Sequence, residues 1–217
     1  METSSRRGSV ALLDDGNVVA TLEHEQTNAH AELLLPLIER VLADAGWPKS
    51  SLDRLGVGVG PGSFTGLRVG IALAEGLSLG LDRPLLGVGS LRAMAWGALR
   101  GRPGPACAIV DARRSEVFAA IYAANGDELC APQALAPAAL GELLGRFGAQ
   151  LIVGEMARGL DLGVEHLVGP ELDLPHARWV AALAATLTED VAPPDPHYVR
   201  GIGATLPNLP PSPLAAK

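Results

Sequence analysis

The sequence predicts an α/β protein built as two lobes of like pattern, and three observations carry this reading. Each half opens with two β-like runs and a hairpin turn signal and then alternates helical and strand patterns. The segment at 101–105, GRPGP, punctuates the chain between the halves. The 217 residues are 48% hydrophobic and 19% charged, enough for a buried core and too apolar for general disorder. A net charge of −7 and 4% aromatic residues argue against a basic, base-stacking nucleic-acid grip. The two cysteines, Cys107 and Cys130, are too few for a disulfide scaffold or a thiolate zinc site and read as small hydrophobes.

In the first half, residues 8–13 and 18–23 read as strands. Asp14-Asp15-Gly16-Asn17 joins them as a hairpin turn, because Asp-Gly adopts positive φ easily. A helix over 28–45 carries the stripe Leu33, Leu34, Leu37, Ile38, Val41 and Leu42. Thr27 or Asn28 is its expected N-cap, Gly46 and Pro48 its stop, and Pro36 an interior kink. Residues 55–60, LGVGVG, form a short strand, and Pro61-Gly62 turns into a helix over 63–80 capped by Ser63. A strand at 84–88 and a helix at 90–100, capped by Ser90, complete this half.

In the second half, 106–110 and 116–124 read as strands, with Asn125-Gly126 as a second hairpin turn. A helix at 136–147, a strand at 150–153 and a helix at 176–190 follow. Seven of the 17 prolines fall within 193–213, so the last segment is expected to be extended. The expected division is 1–101, 102–192 and 193–217. No signal peptide is visible, and Arg68, Glu75 and Asp82 interrupt every long apolar stretch, so a cytoplasmic protein without a membrane span is expected.

Residues 58–80 carry most of the functional information. A Gly-rich loop entering a helix suggests a phosphate cradle, but the lysine of a P-loop is absent and Pro61 stiffens the turn. Ser63 stands where a nucleophilic serine would, yet Pro61 and Thr65 occupy the positions that a nucleophile elbow gives to glycine. Gly62, Gly66, Gly70, Ala74 and Ser78 recur every four residues, and Ala72, Gly76 and Gly80 form a second small row. Gly66, Gly70 and Gly76 together forfeit roughly 3 kcal/mol of helix propensity, so a close neighbour should offset them. That neighbour is either the chain's own sheet or a helix of another chain.

The run GPGSFTGLRVGIALAEGLSLGLDRPLLGVGSL at 60–91 closely resembles the signature of the bacterial TsaB (YeaZ) family, the dimerization subunit of the tRNA threonylcarbamoyladenosine machinery. The resemblance continues in HAELLLP at 30–36, DARRSEVF at 111–118 and HYVR at 197–200. It implies two RNase-H-like lobes of the actin-like ATPase superfamily. It further implies a non-catalytic scaffold that binds the transferase TsaD, with the ATPase TsaE joining the pair and tRNA reached only through the complex. Carried over, the partner interface comprises His30, Leu33, Leu34 and Leu37 on one helix and Phe64, Gly66, Gly70 and Ala74 on the next. Pro61, Gly62, Ser63, Thr65 and Arg68 form the structural motif between them. The same surface can serve a homodimer when the partner is absent.

No catalytic residue, metal or cofactor is expected. His30 is the only histidine on its helix, and His24, His166, His176 and His197 show no metal-ligand spacing. The alternative is a glycoprotease-like hydrolase or an ATP-dependent transferase of the same superfamily. Direct tRNA contact would fall to Arg100, Arg102, Arg113 and Arg114, which otherwise read as solvated arginines. One departure from the family pattern stands at Met1-Glu2-Thr3-Ser4-Ser5. Glu2 occupies the place of an aspartate, and the apolar strand that precedes it in the family is missing, so the first strand is expected to be truncated and the true start to lie upstream.

Overall fold

A computed structural model describes residues 1–26, 29–188 and 194–199. It is a mixed α/β fold with three separate ladders. The antiparallel hairpin β1 (Gly8–Asp14) and β2 (Asn17–His24) is one. The parallel pair β3 (Leu55–Gly58) and β4 (Leu85–Val88) is the second. The third is a five-stranded sheet of order β7-β6-β5-β8-β9. It contains β5 (Pro105–Arg113), β6 (Glu116–Ala123), β7 (Glu128–Leu135), β8 (Leu151–Val153) and β9 (Glu165–Leu167). The sequence reading passed over β7 and β9. β7 carries Pro132 and is exposed at alternate positions, and β9 is three residues long, so neither offers a clear apolar period.

Among the described residues the α-helices are α1 (His30–Ala45), α2 (Phe64–Leu81), α3 (Ser90–Leu99), α4 (Leu140–Phe147) and α5 (Ala177–Ala184). Helix α1 packs Leu34, Ile38, Val41 and Leu42 on Val10 and Leu12 of β1. Its expected cap residues, Thr27 and Asn28, lie outside the described residues; Gly46 stops it in the left-handed region at φ 70°. Helix α2 sets Leu67, Ile71 and Ala74 on Val57 and Val59. Ser63 caps it as expected, its hydroxyl accepting from Gly66 N–H at 3.2 Å. The cap of α3 differs from expectation: Gly89 is the N-cap, and the Ser90 hydroxyl instead accepts from Gly60 N–H at 3.2 Å and donates to Glu2 Oε2 at 2.7 Å. Helix α4 is shorter than the expected 136–147, because Pro137–Ala139 form a separate 3₁₀ turn. The end expected for α5, Asp190, and the tail beyond 199 lie outside the described residues.

The five-stranded sheet is covered on both faces. Alternate residues of β5, β6 and β8 meet α3 on one face through Ala106, Ala108, Val110 and Ala120. On the other face Cys107, Ile109, Ile121 and Ile152 meet Leu140, Leu143 and Leu144 of α4. Two helices cross the expected boundary at 101. Helix α3, from the first half, lies on the sheet of the second, and α5, from the second half, lies on β1, β3 and β4 of the first. The two meet through Ala93, Trp96, Val180 and Leu183, so packing does not follow the 1–101 and 102–192 division.

Candidate partner-binding face

Helices α1 and α2 pack on each other and carry every residue of the expected interface. The structure divides those residues into two layers. His30, Leu34, Gly66, Gly70 and Ala74 are buried within the chain, which corrects the expectation that they present a surface. The row Gly62, Gly66, Gly70 is occupied by the chain's own N-terminal residues. A Cβ at Gly62 would run into Ser4, one at Gly66 into the Thr3 carbonyl oxygen, and one at Gly70 into the Thr3 hydroxyl. That close approach is locked by Thr3 Oγ1 donating to Gly66 O at 2.8 Å and by Ser63 N–H donating to Ser4 O at 2.6 Å. The glycines thus lose helix propensity in exchange for backbone contact with residues 3 and 4.

The outer layer is different. Phe64 is 39% exposed, Leu35 39% and Leu79 87%, with Leu33 and Leu37 half-buried. Gly76 and Gly80 have nothing within 4 Å of a Cβ built on them, and Ala72 and Arg68 are exposed on the same helical face. Helix α2 is long and apolar enough, by length and composition, to cross a membrane, which the sequence reading did not anticipate given Arg68 and Glu75; only 28% of that window is buried. An apolar helix with so little cover offers a neighbour a stripe of small residues beside the exposed Leu79. Of the two small-residue rows read in the sequence, Gly62, Gly66 and Gly70 meet the chain's own residues 3 and 4, and Gly76 and Gly80 meet nothing. The signal that separates them is the N-terminal segment, which fills one glycine face and leaves the other open.

At the N-terminal end of α2 the Arg68 guanidinium lies 3.8 Å from the centroid of the Phe64 ring and its Nε donates to the Tyr198 hydroxyl at 3.3 Å. The Tyr198 and Phe64 rings are 5.2 Å apart. His197 N–H donates to Val59 O at 2.7 Å and so brings Tyr198 here from far along the chain. Thr65 is exposed beside this cluster and Pro61 is buried beneath it.

Three amides of the Gly-rich loop and the start of α2 are taken within the chain. Gly60 N–H is taken by Ser90, Ser63 N–H by Ser4 and Gly66 N–H by the Ser63 hydroxyl. Glu2 is fully buried beneath it, its Oε1 accepting from Ser4 N–H at 2.6 Å. His30 is held by a relay that the sequence did not suggest. His24 Nδ1 accepts from Gln26 N–H at 3.2 Å, so its Nε2 carries the proton and donates to His30 Nδ1 at 3.3 Å; His30 Nε2 then donates to Ser5 O at 3.0 Å. Burial, and then the neighbouring His30, hold the His24 pKa below its ordinary value. All four ring nitrogens are engaged. Among the described residues no group of three or more His, Cys, Asp or Glu could hold a metal ion. His176 caps α5 through Nδ1, 3.1 Å from Arg178 N–H, while Nε2 meets Glu23 at 3.0 Å; His166 donates to Gly154 O at 3.0 Å.

The family model for TsaD, tRNA N6-adenosine threonylcarbamoyltransferase, matches residues 17–162. The tRNA threonylcarbamoyladenosine biosynthesis protein TsaB of Escherichia coli K12 is 40% identical over 123 residues, 56% of this chain and 53% of that protein. The TsaB of Bacillus subtilis 168 is 33% identical over 122 residues, with the same shares covered. The chain thus spans about half the length of the curated relatives it matches. A solved Pseudomonas aeruginosa protein described as similar to peptidase YeaZ superposes with a TM-score of 0.74 at 29% identity, over 92% of this chain and 97% of that one. YeaZ of Pseudomonas aeruginosa superposes with a TM-score of 0.69 at 28% identity, over 91% and 96%. The chain carries a TsaD-family domain and belongs to the TsaB (YeaZ) family.

Proposed function

We propose that this chain is a non-catalytic subunit of tRNA threonylcarbamoyladenosine biosynthesis in the cytoplasm, and that it binds a TsaD-type transferase through the outer face of α1 and α2. TsaE joins that pair, and tRNA is met only by the complex. The observation that carries the reading is the uncovered apolar surface of α2, where Ala72, Gly76 and Gly80 let another helix approach closely beside Leu79. The names of its relatives supply the pathway. The engaged loop amides and the closed histidine relay favour a scaffold over a hydrolase or an ATP-dependent transferase. An antiparallel hairpin and a parallel strand pair recur in both halves, which supports two RNase-H-like lobes of the actin-like ATPase superfamily.

Light scattering on a sizing column tests the reading. The chain mixed with its TsaD should elute as a one-to-one complex that replaces the free species, whether that species is monomer or homodimer. Gly76→Trp should abolish the complex without lowering the melting temperature, because no atom stands within 4 Å of a Cβ at that position. A folded Gly76→Trp protein that still binds would move the interface elsewhere.

A further inference from the structure

Helix α5 belongs to the second half by sequence and to the first by packing, and the joint that seats it closes on one histidine. The chain leaves β9 at Leu167 and runs through 168–176 to α5, which lies on β1, β2, β3 and β4 and against α3. Two charged side chains of the first half hold this crossing segment. The Arg7 guanidinium donates to Pro170 O, and Glu23 of β2 meets His176. Ser9 Oγ of β1 accepts from Ala177 N–H at 2.9 Å and pins the first residue of the helix.

His176 is 4% exposed and uses both ring nitrogens. Nδ1 accepts from Arg178 N–H at 3.1 Å, which caps α5. The ring proton therefore sits on Nε2, which donates to Glu23 Oε2 at 3.0 Å. A second proton has only Nδ1 to go to. There it would face the Arg178 N–H, donor against donor, so the cap and the charged ring exclude each other. Glu23 favours the charged ring. Arg7, whose Nε stands 3.4 Å from the same carboxylate, and the Met1 amine oppose it. The Arg178 side chain pairs with Glu171 instead, and β4 and α3 present Leu86, Val88 and Ala93 to the helix. Burial, ahead of all these charges, holds His176 below its ordinary pKa, so the ring is neutral and the cap closed at pH 7.

We propose that His176 is a proton-released latch: neutral, it caps α5 and ties the helix to β2; protonated at Nδ1, it opens the first turn of α5 and the crossing segment while the five-stranded sheet stays folded. The step takes one proton from solvent onto Nδ1, and the Arg178 N–H passes to water. The release is local. Among the described residues, the buried clusters on the five-stranded sheet titrate only through Tyr122 and Cys107, and burial pushes both above their ordinary values, away from the acid range. The His24 and His30 pair answers to acid separately, because alternation along β2 turns His24 to the face opposite Glu23, toward α1. The latch therefore loosens the crossing between the halves and leaves each sheet's own packing in place.

Amide hydrogen exchange of the full chain between pH 7.5 and 5.0, with the His176 ring followed by its NMR shift, tests the latch. Protection of the Arg178 and Trp179 amides, corrected for the intrinsic exchange rate, should fall at least about tenfold. The fall should share its midpoint with the His176 titration, while the amides of β5 and β6 keep their protection. His176→Asn retains a capping acceptor that takes no proton in this range, so its Arg178 and Trp179 amides should stay protected throughout. His176→Ala lacks the acceptor and should leave them open at both ends of the range. The wild-type profile decides by itself if a variant fails to fold. Unchanged protection while the ring titrates, or a ring still neutral at pH 5.0, overturns the proposal. So does an equal loss in His176→Asn, or a simultaneous loss in β5 and β6, which would mean global unfolding.

Discussion

The second half of the molecule closes its sheet; the first half does not. Both use a hairpin followed by two parallel strands, and both lay helices on each face. In the second half the nine residues of β5 knit the hairpin to β8, and Ile109, Ile121 and Ile152 are fully or almost fully buried. In the first half Met1 and Glu2 do this work alone, and the interior beyond them is open. Polar contacts of residues 2–4 compensate in part: the Glu2 carboxylate on Ser4 and Ser90, and Thr3 on the Gly66 carbonyl. The same topology can therefore rest on apolar burial in one place and on a few buried hydrogen bonds in another. The second solution should be less tolerant of changes in backbone approach and more sensitive to pH.

Leucine truncation should show the contrast at its largest. Leu144 on α4 and Leu42 on α1 are 2% and 3% exposed, but only Leu42 borders that open interior. Leu144→Ala should cost about 4 kcal/mol, because its neighbours are packed on all sides and a new cavity forms. Leu42→Ala should cost about 2 kcal/mol, since part of its surface already meets a void. Equal losses in urea unfolding would mean that this interior is closed in solution.

The glycine rows make the next test. Gly66→Ala puts a methyl group onto the Thr3 carbonyl and should cost about 3 kcal/mol despite the better helix propensity of alanine, because the N-terminal residues must shift and surrender buried bonds. Both stability and partner binding should fall. A folded Gly66→Ala protein of normal melting temperature would show that residues 3 and 4 do not lie on α2.

The pH response is smaller and belongs to the first half. The Met1 amine has a pKa of about 6 when folded against 8.0 when free, so the unfolded chain binds the extra proton between those values. Stability should be present above pH 8 and fall by about 2 kcal/mol as pH drops from 8 to 6. Acetylating the terminus should abolish that step. Burial also lowers the His24 and His176 values, so a further loss below pH 6.5 should persist after acetylation. A flat profile between pH 6 and 8 in the unmodified protein would show that the amine is solvated.

How much of this was legible in the sequence differs between the halves for physical reasons. The helix stripes, both hairpin turns and the Ser63 cap follow from local period and turn chemistry, and they stand where the sequence put them. Packing partners are not local. Nothing in the spacing of Gly66 and Gly70 says whether the close neighbour is a sheet, a partner or, as found, the Thr3 backbone. The crossing of α3 and α5 onto each other's sheet is likewise a long-range fact that composition at 101–105 does not encode. The His24 and His30 pair escaped notice because one lies on a strand and the other on a helix, with no shared period.

The smallest effect is the most discriminating about function. Gly76→Ala meets no atom within 4 Å, so the only change to the free chain is a gain of about 1 kcal/mol in helix propensity. Its melting temperature should rise by about 2–4 °C. The added methyl group stands on the row that the partner helix is proposed to approach, so affinity for TsaD should fall about tenfold even as stability improves. Stability and binding would then move in opposite directions from one atom group, whereas Gly66→Ala lowers both. If Gly76→Ala stabilises the chain and leaves affinity unchanged, the open glycine row is a bare solvent face, and the contact must be sought around Phe64, Arg68 and Tyr198.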